Sequence, residues 1–191
     1  MTKGRLEAFT DGVVAIIITI MVLEIKVPPG ADFAALKASL PIFLTYALSY
    51  LNVGIFWNNH HHMLHATDRI NGRVLWSNLF LLFWLSLIPF VIRWIDEAGI
   101  TPLPIAAYGA ILAMAAVGYN LLQREIIAAN GRTSRLASAV GHDLKGKLSL
   151  AAYLVAPPVA FFSPWIALVL YIAVALLWLV PDWRIESGAG R

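Results

Sequence analysis

Four histidines lie within six residues at the end of the second apolar block, at His60, His61, His62 and His65. His61 and His65 are four residues apart, so on a helix they share a face and could bind one metal ion. Membrane di-iron oxidases carry several such clusters, whereas this chain has one cluster, one further histidine (His142) and no cysteine. We therefore favour interfacial, hydrogen-bonding histidines, and we keep a metal-dependent membrane enzyme as a less favoured alternative.

Acidic residues border an unusually short apolar block. Gly12–Leu23 lies between Asp11 and Glu24, and its twelve residues would span only about 18 Å as a helix, against a hydrocarbon core of about 30 Å. A full span must therefore include charges, which usually face protein or water. We predict a helix sheltered by protein; a tilted, lipid-facing helix is the alternative. In a secondary transporter, Asp11 or Glu24 would be the proton-coupling site.

The residue spacing in this helix separates two faces. At about 100° per residue, Ile16, Ile20 and Leu23 fall on one side, together with Thr19. Asp11 falls on the other side with Glu7, so we expect both acids to point back into the subunit. If the first face lined a pore, it would form apolar rings, and such constrictions can gate by dewetting. Ordinary helix-packing surface is the alternative interpretation.

Two polar patterns occur in later blocks. Asn78 lies early in the third apolar block, where an asparagine usually hydrogen-bonds to a neighbouring helix. It is predicted at the same end of the bundle as the histidines and Asp11, and this shared position predicts a network that joins the first three helices. Val117-Gly118-Tyr119 looks like a potassium-filter sequence, but it lies inside an apolar block without a preceding pore helix, and we interpret it as chance.

The composition predicts an all-α membrane protein forming one domain over residues 1–191. Sixty per cent of the residues are hydrophobic and 13% are charged, whereas soluble domains average about 45–50% and about 25%. The apolar residues do not alternate as a membrane barrel requires. Six transmembrane helices are predicted, at Gly12–Leu23, Leu40–Trp57, Val74–Ile92, Leu103–Leu122, Leu148–Phe162 and Pro164–Val180. In the fifth, Pro157-Pro158 predicts a mid-helix bend.

Charge predicts the orientation and excludes some partners. With the N terminus inside, 11 of the 14 Lys and Arg residues lie on cytoplasmic segments, as the positive-inside rule requires. Both termini are then cytoplasmic, in a multi-pass protein of the plasma membrane, and Gly131–Lys147 is a cytoplasmic loop. No cleavable signal peptide is visible. The net charge of +3 is too small to indicate nucleic acid.

Arg5, Phe9, Thr10 and Asp11 form the pattern Arg-x-x-x-Phe-Thr-Asp at the start of the first predicted helix. This pattern resembles the Arg-x-x-x-Phe-Ser-Asp signature of the TMEM175 family of potassium channels, and Thr10 keeps the hydroxyl of the usual serine. His62 stands where a basic residue is common in that family. The likeness covers the whole chain as a six-helix plan and is supported at Ala15-Ile16, Thr19, Trp57, His60, His61, Asn78 and Pro89-Phe90.

The resemblance implies a passive, potassium-permeable channel without a cofactor, formed by a homotetramer in the bilayer. The first helices of four subunits would line the pore, without a carbonyl filter loop. The family's hydrophobic constriction then falls at Ile16, Ile20 and Leu23, and a hydroxyl that can contribute to ion coordination falls at Thr19. A structural network that holds the pore helix against the subunit is implied at Arg5, Phe9, Thr10, Asp11, His60, His61 and Asn78.

Overall fold

A computed structural model describes residues 2–131, 134, 136–137 and 144–179 of the chain. This part of the chain is helical. Its eight helices are α1 (Lys3–Leu23), α2 (Phe33–Ala38), α3 (Leu40–His65), α4 (Gly72–Ser86), α5 (Ile88–Ala98), α6 (Pro102–Asn130), α7 (Leu144–Ala160) and α8 (Pro164–Leu179).

Four helical segments in the described residues are long and apolar enough to cross a membrane. They are Lys3–Leu23, Leu40–His65, Gly72–Ala98 and Pro102–Asn130, and each contains one of the first four predicted spans. The apolar helix α8 is shorter, with 16 residues, and α7 has 17. Most of the predicted loop Gly131–Lys147, the end of the sixth predicted span at Val180 and the C-terminal arginines lie outside the described residues.

The third apolar block is not one continuous helix, which the sequence reading did not foresee. α4 ends at Ser86 and α5 begins at Ile88, with Leu87 between them. Pro89 lies in the first turn of α5, where a proline needs no hydrogen-bond partner for its nitrogen. Its ring would clash with a continuing helix behind it, so the break follows from this residue.

Pro157 and Pro158, where a mid-helix bend was predicted, lie toward the end of their helix. The helix α7 runs from Leu144 to Ala160, so both prolines lie in its last turn rather than in its middle. The predicted span Leu148–Phe162 therefore begins too late and extends into the turn at Phe161 and Phe162.

The helix α6 is the centre of the bundle and packs against α4, α5, α7 and α8. Small residues on α6 let the neighbouring backbones approach closely, as in many membrane helix pairs. A Cβ atom on Gly118 would lie 2.9 Å from Cα of Leu81 in α4. The Val117-Gly118-Tyr119 sequence thus lies within a helix, as predicted, and its glycine allows the contact between α4 and α6.

A buried polar cluster joins α3 to α6 and α7. Ser49 Oγ and Asn52 Nδ2 donate to the Tyr108 hydroxyl at 3.1 and 3.3 Å, and the Tyr153 hydroxyl donates to Asn52 Oδ1 at 3.0 Å. All four residues are buried, so each hydrogen bond satisfies groups that would be costly to leave unpaired in an apolar interior. This cluster holds the body of the bundle together.

Candidate functional site

The helix α1 lies on the outside of the bundle, against α3, α4 and α5. Its buried face consists of Leu6, Thr10, Val14, Ile17 and Met21. These positions repeat every three or four residues, as expected for one face of a helix. Because only this strip faces the subunit, the rest of α1 is left uncovered within one chain.

The predicted apolar stripe lies on the uncovered side of α1. Ile16 is 58% exposed, Ile20 39% and Leu23 80%, and Thr19 lies between them, also exposed. The stripe is therefore not a packing surface within its own subunit. The alternative interpretation of the spacing, ordinary helix-packing surface, does not apply within one chain. Exposed apolar side chains in a membrane protein face lipid, another chain or a pore.

Thr10, Asn78 and His60 form a buried hydrogen-bonded chain between α1, α4 and α3. The Asn78 amide donates from Nδ2 to Thr10 Oγ1 at 3.0 Å, and its Oδ1 lies 2.8 Å from His60 Nε2. Because the amide oxygen can only accept, His60 must carry its hydrogen on Nε2 and donate. All three residues are buried, so this chain fixes α1 against the body.

Asp11 forms a second contact, with a partner that the sequence reading did not assign to it. The Trp57 indole donates from Nε1 to Asp11 Oδ1 at 2.8 Å. The Trp57 ring stacks on His61 with centroids 5.9 Å apart, and the rings of His61 and His65 are 4.4 Å apart. Trp57, His61 and His65 follow one face of α3, and Trp57 joins this face to Asp11 on the surface of α1.

The expectation that both acids point into the subunit is wrong for Asp11, which is exposed. The buried strip of α1 centred on Thr10 and Val14 lies about 100° around the helix from Asp11. Glu7 is half-buried, and its Oε1 atom is buried without a hydrogen bond from the described residues. Helix periodicity separated the face with the apolar stripe from the face with the acids, but neither of these two faces of α1 is the one that packs against the subunit.

Arg5 and Phe9 lie outside both the Thr10–Asn78–His60 chain and the group of contacts around Asp11 and Trp57. Both are exposed, and the Arg5 side chain makes no hydrogen bond or ion pair with the described residues. The nearby Lys3 donates from Nζ to the His65 carbonyl oxygen at 3.4 Å. The structure thus brings together Thr10, His60 and Asn78, places Asp11 beside His61 through Trp57, and leaves Arg5 and Phe9 uncovered.

Ion pairs hold the opposite end of α1. Arg93 in α5 lies 3.3 Å from Glu24, and Lys26 lies 3.3 Å from Asp96 and 3.7 Å from Glu97. Glu24, which borders the short apolar block, and the nearby Lys26 are therefore paired with α5, whereas Asp11 at the other border contacts Trp57 of α3. The exposed stripe on α1 lies between two points of attachment.

Potential metal ligands are not grouped in threes anywhere in the described residues. His61 and His65 are close, as their spacing predicted, but His60 is turned away and bonded to Asn78. The histidines therefore serve at least in part as hydrogen-bonding and stacking groups. His142 lies outside the described residues.

Together these features define a class of protein: a helical membrane protein whose first helix has an uncovered apolar face and is anchored at both ends. The family model described as "Endosomal/lysosomal potassium channel TMEM175" matches residues 5–89. A potassium channel of Chryseobacterium sp. (strain P1-3) is 50% identical over 188 residues, which cover 98% of each chain. A potassium channel of Chamaesiphon minutus is 31% identical over 176 residues, covering 86% of this chain and 87% of that one.

This chain belongs to the TMEM175 family. Its fold is similar to the crystal structure of a lysosomal potassium-selective channel TMEM175 homolog from Chamaesiphon minutus, with a TM-score of 0.76 and 27% identity. That similarity covers 93% of this chain and 96% of the other. The family resemblance drawn from the sequence is thereby confirmed.

Proposed function

We propose that this chain forms a potassium-permeable channel, in which four copies surround a pore lined by α1. The observation that carries the proposal is the exposed stripe of Ile16, Ile20 and Leu23, on a helix that is attached at both ends and uncovered between them. One stripe cannot enclose an ion path, so symmetry must supply the other walls. Membership of a family whose relatives are potassium channels supports the same activity.

The stripe is suited to a hydrophobic constriction. Ile16 and Ile20 are one helical turn apart, and Leu23 lies about 10 Å from Ile16 along the axis at 1.5 Å per residue. Four copies of each would form successive apolar rings. A ring of this kind resists wetting because water inside it loses hydrogen bonds that the side chains cannot replace.

Thr19 is suited to touch a permeating cation. Its Oγ1 donates its hydrogen back to the carbonyl oxygens of Ile16 and Ala15, at 2.8 and 3.1 Å. With the hydrogen engaged, the oxygen lone pairs of this exposed side chain face away from the helix. A ring of four such oxygens between apolar rings would offer a cation partial coordination.

The remaining architecture follows from helix number and charge. We place six crossings in the membrane, with α4 and α5 together as the third and with α7 and α8 as the last two. Because Lys and Arg are concentrated on the N terminus, on the loops after the second and fourth crossings and on the C terminus, we assign both termini to the cytoplasm, in a protein of the plasma membrane. Arg5, Phe9, Thr10, Asp11, His60, His61 and Asn78 act structurally, outside the narrowest part.

The fourfold assembly has a direct test in the mass of the purified complex. We expect native mass spectrometry from detergent micelles to show four copies of the 21.0 kDa chain. The uncovered stripe is the reason, since it stays exposed to lipid or water in any monomer. A stable monomer or dimer that still conducts would contradict the proposal.

Conduction is tested with purified protein in planar bilayers under opposed potassium and sodium gradients. We expect a current whose reversal potential follows the potassium gradient and is unchanged when the pH of one side is altered. A proton-coupled transporter that uses Asp11 or Glu24 would instead show a reversal potential that moves with the proton gradient at fixed stoichiometry. An absence of current from a correctly assembled tetramer would count against a channel.

A further inference from the structure

A pocket of about 530 Å³ lies at the end of the bundle opposite the Thr10–Asn78–His60 chain. Its walls come from the segment after α1, the start of α3 and the end of α5. They are mainly apolar, and the polar groups include one ion pair, Lys26 with Asp96. This size and composition match the sites that bind small amphiphilic molecules, which are apolar with a few oriented polar groups.

The ion pair in this wall is incomplete. Asp96 Oδ2 is buried and accepts no hydrogen bond from the described residues, although Lys26 Nζ lies 3.3 Å away. The side chain of Asp96 is 15% exposed, whereas that of Lys26 is 62% exposed. The carboxylate is thus held in the wall, whereas the largely exposed lysine also lies 3.7 Å from the exposed carboxylate of Glu97, with which it can stay paired when it turns toward solvent. A buried acceptor without a hydrogen bond is unfavourable unless something donates to it.

We propose that this pocket binds a phospholipid whose head group carries a primary ammonium, as in phosphatidylethanolamine. The lipid ammonium replaces Lys26 beside Asp96 and donates the missing hydrogen bond to Oδ2. Lys26 turns outward and pairs with the lipid phosphate. Val27, Pro29, Ile42 and Ile100 in the wall contact the glycerol and the first methylenes of the acyl chains.

The location suits a lipid rather than a soluble ligand. The pocket lies where α1 and α5 end and where α3 and α6 begin, which is the level of a membrane surface for helices that cross the bilayer. The adjoining helix α2 exposes Phe33 and Leu36, and apolar side chains on a short helix at that level lie in the head-group region. This binding does not depend on whether the chain conducts potassium.

Head-group chemistry distinguishes phosphatidylethanolamine from two other phospholipids. Phosphatidylcholine has the same charges, but its trimethylated nitrogen has no hydrogen to donate. Phosphatidylglycerol has the phosphate without a cation. If Asp96 Oδ2 selects the lipid, only the primary ammonium completes the site.

The experiment is native mass spectrometry of the purified full-length assembly with each of the three lipids added in turn. We expect phosphatidylethanolamine to bind more tightly than the other two. With Asp96→Asn its dissociation constant should rise about tenfold, as for the loss of one charge-assisted hydrogen bond. Lys26→Gln should weaken binding, whereas Lys37→Gln, on an exposed lysine of α2, should not.

A cavity-filling variant tests the pocket without changing a charge. Ala38 lines the pocket and Ala34, one turn earlier on α2, does not. We expect Ala38→Trp to abolish the preference for phosphatidylethanolamine and Ala34→Trp to keep it. Equal binding of the three lipids by the natural protein, or an unchanged preference in both Asp96→Asn and Ala38→Trp, would overturn the proposal. Displacement of the lipid by an equal concentration of free phosphoethanolamine would also overturn it, in favour of a soluble ligand.

Discussion

Ile16→Asn is expected to raise ion flux through the reconstituted channel and to reduce its discrimination between potassium and sodium. The substitution puts an amide on the most strongly constricting ring of the proposed pore, in all four subunits at once. Water and hydrated cations regain hydrogen bonds there that isoleucine cannot offer. Each 1.4 kcal/mol removed from the permeation barrier raises the current about tenfold. Single-channel conductance and reversal potential in planar bilayers measure both effects.

Ile17→Asn is the matched control for this change. Ile17 is the next residue in α1 but is 2% exposed, on the face that packs against the subunit. There the same amide enters an apolar core without a partner, which costs free energy of folding. We therefore expect loss of assembled protein rather than a larger current. If Ile17→Asn opened the channel and Ile16→Asn merely misfolded it, the pore would lie on the other face of α1.

Asn78→Leu is expected to cause the largest loss of stability among single changes in the Thr10–Asn78–His60 chain. It removes the amide that links Thr10 to His60 and leaves both of those buried groups without that partner. At about 1–3 kcal/mol for each unsatisfied group, the free energy of unfolding should fall by about 2–6 kcal/mol. Thermal unfolding of the detergent-solubilised protein, followed by tryptophan fluorescence, measures the change.

Two comparisons separate this hydrogen-bonding role from simple packing. Asn58→Leu changes an exposed asparagine of α3 and should leave the unfolding temperature nearly unchanged. Adding Thr10→Val and His60→Leu to Asn78→Leu should recover part of the lost stability, because replacing all partners by apolar groups removes the unpaired atoms. A triple variant less stable than Asn78→Leu alone would show that volume, not hydrogen bonding, governs this site.

Asp11 should matter less for folding than the sequence motif suggests. The single described hydrogen bond of its side chain comes from Trp57, and both residues are exposed in one chain. Thr10, its neighbour in the motif, is buried and bonded to Asn78. The two adjacent residues therefore have different roles: Thr10 holds α1 to its own subunit, and Asp11 lies at the surface, where a neighbouring chain would pack in the proposed tetramer.

The amino-acid sequence alone was sufficient to predict a helical membrane protein and to identify the apolar stripe on its first helix. Long apolar blocks require helices in a bilayer because the backbone must satisfy its own hydrogen bonds, and this requirement is local to each block. The separation of Ile16, Ile20 and Leu23 from the acids is also local, since it depends only on helix periodicity. Asn78 was recognisable because such a side chain is rare inside an apolar block, whereas Thr10 was implied by the family signature and His60 by the histidine cluster and the family resemblance.

Only the tertiary structure decided which way α1 is turned and what its polar groups contact. The angle between two faces can be read from spacing, but the face that is buried depends on the helices beside it, here α3, α4 and α5. For the same reason the Trp57 partner of Asp11 was missed, since it comes from a contact 46 residues away along the chain. The pocket at Lys26 and Asp96 likewise exists because the segment after α1, the start of α3 and the end of α5 meet there. No local sequence pattern predicts this contact.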